Sequence, residues 1–286
     1  MNKIYSNDFI MLPKIDLVFK ELMANAKVRT GFLSAVLNIK DTDIKETTLE
    51  NTNLRVMHED EKFGILDVRI LMNDNTEINI EIQISYYKTW SDRTTFYLAK
   101  MLAEQTDINK TYSNIKKCIG INLLDFNFTK DERFYKSYHI REDKTNELFT
   151  DIMEWHIIEM RKLPKEEDGT ALYNWTKFIK SESREEMKML AEKDKNIDEA
   201  YKQLEIISQD KQKQIEYTSR MKSIMDYNTI MEERFQDGFA SGEKKGRQEG
   251  LEQGVLRGRQ ELLNQLIESG VKIPDELLGR FKQEKE

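Results

Sequence analysis

Strict alternation of apolar and polar residues in two neighbouring segments is the pattern that most constrains how this chain folds. Side chains at every second position of a β-strand share one face, so each segment is predicted to be a strand. The apolar positions are Leu66, Val68, Ile70 and Met72 in residues 63–72, and Ile78, Ile80, Ile82 and Ile84 in residues 77–85. The turn-forming residues 73–75 lie between the segments, which predicts an antiparallel hairpin.

Polar residues occupy the second face of this hairpin, and the register decides which of them meet. Directly opposed residues share one side of the sheet, so only registers that keep the isoleucines together are allowed. A three-residue loop with Asn75 in a left-handed conformation places Asp67 opposite Glu81. A five-residue loop places Asp67 opposite Gln83 instead.

In either register two carboxylates converge, with opposed Cα atoms about 4.5–5.5 Å apart. Together with the carbonyl group of Ile82, the side chains of Asp67 and Glu81 offer the oxygen ligands that suit Mg²⁺. The spacing by itself leaves a second interpretation open, in which Asp67, Glu81 and their neighbours are the solvated face of a surface hairpin.

The sequence around the hairpin resembles a known family. Residues 11–105, through segments 11–20, 64–69, 80–83 and 93–97, resemble the Rpn family of recombination-promoting nucleases and transposases, members of the PD-(D/E)xK superfamily. The resemblance implies an α/β fold with a PD-(D/E)xK-like restriction-endonuclease core. In this core a central mixed sheet is flanked by helices, and a helical C-terminal region follows it.

The resemblance also implies roles for individual residues. Asp67 is the first motif acid, Glu81 the second, and Asp16 an acid contributed by the first helix. Gln83 stands where the wider superfamily usually has lysine, and a neutral amide orients a water or a phosphate but carries no charge. The charge-stabilising role then passes to Lys20 or to no side chain.

Metal-assisted hydrolysis of a phosphodiester bond is the mechanism that follows from the resemblance. Asp67, Glu81 and the carbonyl group of Ile82 are expected to hold Mg²⁺, with Mn²⁺ as the alternative ion, while Gln83 positions the attacking water. Asp16 either helps to bind a second cation or is an N-cap. Lys20 lies four residues after Asp16, so an ion pair between these two is the simpler alternative to a catalytic role.

A helix is predicted over residues 90–102, with Ser91 as its N-cap and an apolar stripe that includes Phe96, Leu98, Ala99, Met101 and Leu102. Arg93 and Tyr97 lie one turn apart on this helix. Both are candidates to contact a DNA phosphate near the metal, although Arg93 is equally consistent with a solvated or ion-paired surface residue.

The rest of the chain changes character near residue 163. Further strands are predicted at residues 117–124, 134–140 and 153–160, and then helices at 171–180, 185–192 and 197–227. The predicted organisation is a nuclease domain at 1–163, a helical region at 164–234, a tether or helix at 235–260 and a short helical hairpin at 261–286.

Glycine recurs every four residues in the third of these regions, at Gly238, Gly242, Gly246, Gly250, Gly254 and Gly258. In a helix each glycine costs about 1 kcal/mol relative to alanine. The ladder is therefore either a partly helical tether of low complexity or a helix whose side-chain-free stripe lets another helix or a sugar–phosphate backbone approach closely.

Composition limits the partners and the compartment. The net charge of −7 and pI of ≈ 5.4 exclude a general polyanion binder, so DNA contact requires a local basic face or metal-bridged phosphates. Candidates for such a face are Lys110, Lys116, Lys117, Lys130, Arg133 and Lys136. A single cysteine, the absence of an N-terminal signal and the absence of an 18-residue apolar run predict a cytoplasmic protein without a membrane segment.

The three histidines, His58, His139 and His156, lack the spacing of metal ligands. The resemblance implies an Mg²⁺-dependent DNA endonuclease that acts in recombination or transposition-like events, with a homodimer as the simplest way to cut both strands. The alternatives are a non-catalytic protein that binds DNA on a nuclease scaffold, and a structural protein that assembles through its tail.

Overall fold

The computed structural model describes residues 9–44, 46–53, 66–106, 111–272 and 274. These residues form the helices α1 (Asp16–Ala24), α2 (Ala26–Leu37), α3 (Trp90–Glu104), α4 (Ala171–Lys180), α5 (Arg184–Lys193), α6 (Lys195–Gln209) and α7 (Lys211–Glu268). The strands are β1 (Thr47–Leu49), β2 (Val68–Met72), β3 (Glu77–Gln83), β4 (Cys118–Leu124), β5 (Tyr135–Arg141) and β6 (Leu148–Glu159). Residues 63–65, His58, Lys110 and the helix predicted after Pro274 lie outside the described residues.

The described strands make one mixed sheet in the order β1-β2-β3-β4-β6-β5. Strands β3, β4 and β6 are parallel, and the outer pairings are antiparallel. Helix α3 lies between β3 and β4 in the chain, as a crossover between parallel strands requires. The α/β fold with a central mixed sheet and flanking helices, implied by the resemblance, is confirmed.

The hairpin has the register of the three-residue loop. Val68 pairs with Ile80 and Leu71 with Glu77, so the same register brings Asp67, directly before β2, opposite Glu81. Asn75 has φ of 65°, the left-handed conformation that this loop requires. The register with Asp67 opposite Gln83 is therefore wrong.

The polar face of the hairpin is not exposed to solvent, so the surface-hairpin interpretation is wrong. Strand β3 is central in the sheet, and Asn79 and Glu81 on it are buried. Helix α3 covers this face: Thr94 donates a hydrogen bond to Asn122, the β4 residue beside Glu81, at 3.1 Å. Polar side chains of β3 are thus enclosed between the sheet and α3.

The other helices of the core begin and pack for local reasons. Side-chain N-caps precede α2, α4, α5 and α6, at Asn25, Thr170, Ser183 and Asp194. Aromatic rings then link α1, α2 and α4, because Phe32 meets both Phe19 and Trp175 edge to face at 5.8 and 5.7 Å. The sheet, helices α1–α6 and the first turns of α7 belong to one compact unit that ends at Arg220.

Two helix predictions are wrong in detail. The predicted helix 197–227 is interrupted at Asp210, which has extended backbone angles and accepts a hydrogen bond from the amide of Lys213 at 3.0 Å, so that a new helix begins there. Helix α3 is preceded by Thr89 as its N-cap, not by Ser91, and Phe96 and Ala99 on this helix are exposed.

The second compact unit begins at Met221. Within it α7 continues through all six glycines of the ladder to Glu268. Gly270, with φ of 76°, follows the end of this helix, in the left-handed conformation that glycine adopts readily after a helix. In the described ranges, none of the helices is both long and apolar enough to cross a membrane.

Candidate active site

Asp67 and Glu81 meet at one end of the β2–β3 hairpin. The Oδ2 atom of Asp67 accepts a hydrogen bond from the backbone amide of Ile82 at 3.3 Å, which ties the residue before β2 to β3. Glu81 is only 3% exposed, and the amide of Asn79 donates to its Oε1 atom at 3.3 Å. The hairpin register therefore places one partly exposed and one buried carboxyl group side by side.

Burial, and after it the nearby negative charge of Asp67, raise the pKa of Glu81 to about 7, although Arg93 and Asn79 oppose the shift. A carboxyl group in this position holds its proton close to neutral pH. A divalent cation between the two acids would favour the ionised form, because it replaces the lost hydration and offsets the charge of Asp67.

Lys20 does not pair with Asp16. Its Nζ atom lies 3.1 Å from Oδ1 of Asp67, so the ion-pair alternative predicted within α1 is wrong. Asp16 is the first residue of α1, after Ile15 as the N-cap, and it accepts a hydrogen bond from Nε of Arg220 at 2.8 Å. The described contacts thus bring Lys20 to Asp67 and join Asp16 to Arg220, and the alternative of Asp16 as an N-cap is wrong.

Gln83 and Arg93 are joined directly. The Nη2 atom of Arg93 donates to Oε1 of Gln83 at 2.6 Å and lies 3.3 Å from Oε2 of Glu81. The guanidinium carbon is 5.8 Å from the ring centre of Tyr97 and 6.0 Å from that of Tyr87, within the range of a cation–π contact. The Arg93–Tyr97 side of α3 therefore faces the two motif residues of β3.

Two asparagines complete this polar group, and the sequence prediction did not assign a role to either. Oδ1 of Asn79 and Nδ2 of Asn122 are buried without a hydrogen-bond partner among the described residues. A signal for Asn122 was available, since it is the polar residue in the otherwise apolar stretch of β4. Asn79 donates to Glu81 and Asn122 is its neighbour on β4, and water would satisfy the two unpartnered atoms.

The residues present fit a hard, partly hydrated cation. Asp67, Glu81 and the Ile82 carbonyl provide only oxygen ligands, which is the donor set of Mg²⁺ that keeps several of its waters. No group of three or more His, Cys, Asp or Glu side chains within the described chain has the geometry of a metal site.

Most of the predicted basic face is occupied by ion pairs. Lys136 lies 2.9 Å from the buried carboxylate of Glu159, Lys117 is paired with Glu154, and Arg133 is paired with Asp131. Lys116 and Lys130 are exposed.

The two described histidines are structural. Both His139 and His156 contact Glu154, at 3.5 and 2.7 Å. The hydroxyl group of Tyr135 lies 2.7 Å from Nδ1 of His156, so these rings belong to a packed polar cluster of β5 and β6.

The fold and the paired acids define the chain as an α/β protein with a restriction-endonuclease-like core. A family model described as PD-(D/E)XK nuclease family transposase matches residues 13–234. The chain belongs to this family, and the resemblance inferred from its motifs is confirmed. Neither a curated protein nor a solved structure matches the chain.

Proposed function

We propose that the protein is a metal-dependent DNA endonuclease that hydrolyses phosphodiester bonds in recombination or transposition-like events. The observation that carries this proposal is the β2–β3 register, which sets Asp67 opposite the buried Glu81 and joins Asp67 to the amide of Ile82. Membership of a nuclease family supports the same reaction class.

In the proposed mechanism Asp67, Glu81 and the carbonyl group of Ile82 hold Mg²⁺ or Mn²⁺. When bound, the ion would polarise the scissile phosphate and lower the pKa of a water molecule that it holds. Asn79 orients the carboxyl group of Glu81 through its 3.3 Å hydrogen bond. Lys20 and Arg93, which contact Asp67 and Glu81 respectively, would supply positive charge beside a bound phosphate.

Plasmid cleavage tests this proposal. Supercoiled plasmid is incubated with the protein and Mg²⁺, Mn²⁺ or EDTA, and nicked and linear products are quantified. We expect cutting that depends on the metal and falls at least about 100-fold in both Asp67→Ala and Glu81→Ala, since each removes an ion ligand. Folding of each variant is checked by circular dichroism. Cutting that persists in both folded variants would place the reaction elsewhere.

A non-catalytic DNA-binding protein is the second candidate function. It is favoured by the neutral Gln83 and by the cations of the chain, Lys20 and Arg93, that already neutralise the two acids. In this case the wild type binds duplex DNA without cutting it, and Asp67→Ala leaves the affinity for DNA unchanged. Light scattering of the complex reports whether two copies bind one duplex, as cleavage of both strands by a homodimer requires.

A further inference from the structure

Arg93 contacts both Glu81 and the side chain at position 83. One nitrogen, Nη2, serves both contacts, at 2.6 Å from Gln83 and 3.3 Å from Glu81. The guanidinium carbon also lies 6.0 Å from the ring centre of Tyr87 and 5.8 Å from that of Tyr97. A planar cation with two hydrogen-bond acceptors and two aromatic neighbours is held in a defined orientation, unlike a flexible surface arginine.

The guanidinium group retains unused hydrogen-bond donors. It has five N–H groups, and within the described chain neither Nη1 nor Nε of Arg93 has a hydrogen-bond acceptor. The side chain is 39% exposed, whereas that of Glu81 is 4% exposed. Arg93 thus extends from the buried acid to the solvent, where a phosphate group would approach the site.

We propose that Arg93 supplies, from α3, the positive charge that the family motif PD-(D/E)XK places at position 83, and that Gln83 is the positioning residue that aims it. This inference rests on the proposed nuclease function. The amide oxygen of Gln83 accepts a hydrogen bond from Arg93, whereas the ammonium group of a lysine there would repel the guanidinium group. Glutamine at this position is therefore the partner of an arginine on the adjoining helix.

Lys20 is the other cation that could replace the motif lysine, and its contacts differ from those of Arg93. Its described partner is Asp67, 3.1 Å away, so a metal ion on Asp67 removes that restraint. Arg93 keeps Gln83, Tyr87 and Tyr97 when Glu81 turns to a metal ion. Of the two cations, only Arg93 stays fixed while the acids bind an ion.

Removal of Arg93 gives the first test. We expect Arg93→Ala to lower cleavage about 100-fold at saturating Mg²⁺, as loss of a phosphate-stabilising donor does. Calorimetric titration with Mn²⁺ should show unchanged or tighter metal binding, because a cation that competes for Glu81 has gone. A merely structural role for Arg93 would weaken metal binding together with cleavage. Arg141→Ala, which removes the same side chain from the exposed end of β5, is the matched control.

The second test moves the positive charge from position 93 to position 83. Gln83→Lys alone should lower cleavage, since it sets two cations side by side. The double variant Gln83→Lys, Arg93→Ala restores a single cation, and we expect it to cut at least about tenfold faster than Arg93→Ala. Thermal unfolding confirms that each variant folds, and Arg93→Lys, which keeps the charge without the planar group, should lie between wild type and Arg93→Ala.

The outcomes separate this inference from the function on which it rests. Wild-type rates in folded Arg93→Ala, or a double variant no faster than Arg93→Ala, would overturn the role of Arg93 while leaving the nuclease intact. If the wild type itself does not cut, the nuclease proposal fails. The affinity for duplex DNA, measured by fluorescence anisotropy in Ca²⁺, then tests the role of Arg93. A lower affinity in Arg93→Ala than in the wild type supports a contact between Arg93 and a phosphate, and an unchanged affinity rejects it.

Discussion

Glu81 shows how one buried carboxyl group couples stability to the candidate site. Its pKa is raised from 4.5 to about 7, first by burial and then by Asp67. The folded protein therefore holds this proton more tightly than the unfolded chain does. The stabilising effect of the protonated group is complete below pH 4.5 and is lost as the pH rises through 7.

Replacement of Glu81 by glutamine, a neutral side chain of similar shape, removes this loss of stability at high pH. At the usual free energy per pKa unit, the shift of Glu81 corresponds to about 3 kcal/mol. In EDTA, we expect Glu81→Gln to exceed the wild type in free energy of unfolding by up to about 3 kcal/mol near pH 8, with much of that difference gone near pH 5. Urea denaturation at the two pH values measures it.

Asp67→Asn serves as the control, because it removes the charge that raises the pKa of Glu81 without touching its burial. This variant should reduce the pH dependence of the free energy of unfolding by the part that Asp67 causes and leave the part that burial causes. Parallel pH profiles for wild type and Glu81→Gln would contradict the raised pKa.

At the scale of elements, the crossing of α2 and α6 depends on Gly31. A Cβ atom at this position would lie 2.5 Å from Cβ of Asn196 on α6, closer than any two such atoms approach. Because the obstructing atom is next to the backbone of α6, the helix itself would have to move. A helix of the region predicted to follow the nuclease domain, α6, is therefore packed directly on α2.

Gly31→Ala should lower the free energy of unfolding by about 1–3 kcal/mol, the usual cost of overpacking. Gly120→Ala is the matched control, since its Cβ would meet the mobile end of the Leu98 side chain at 2.8 Å, and we expect a smaller loss. Denaturant unfolding of both variants measures the difference. Equal stability of Gly31→Ala and wild type would show that the two helices do not cross this closely.

At the scale of the whole molecule, the two compact units can be followed by separate signals. The three tryptophans, Trp90, Trp155 and Trp175, lie in the first unit, and the six glycines of the ladder lie in the second. No atom outside the local helix backbone lies within 4 Å of a Cβ built at any of these glycines in the described structure. Alanine therefore fits every position of the ladder.

Replacement of all six glycines by alanine should increase helicity, since each substitution favours the helix by about 1 kcal/mol. We expect a stronger circular dichroism signal at about 222 nm and a higher unfolding temperature of the tail. Tryptophan fluorescence should show that the unfolding temperature of the first unit is unchanged.

Self-association of the tail predicts the opposite result for this six-alanine variant. A less stable tail, together with a smaller mass than that of the wild type by light scattering, would show that the glycines pack against a second helix. Gly270→Ala is the control of opposite sign, because its positive φ of 76° penalises any side chain.

The sequence by itself determined the local features of the protein. It limited the β2–β3 hairpin to two registers, of which the structure contains the one with Asn75 in a three-residue loop. It also predicted helix 171–180 and the buried strand at 117–124, each within one residue of its observed bounds. Alternation, loop length and capping residues act between neighbours in the chain, so these features can be inferred without knowledge of the rest of the fold. The sequence segments around the two motif acids also identified the family.

Only the tertiary structure decided whether the polar face of the hairpin is buried and which cations meet the acids. The same polar side chains fit a solvated surface or an enclosed site, and the choice depends on where α3 crosses the sheet. Lys20 reaches Asp67 from α1, and Arg93 reaches Gln83 from α3. A local pattern fixes the direction of a side chain, whereas its burial and ion pairing depend on the element that covers it, and packing between distant segments determines that element.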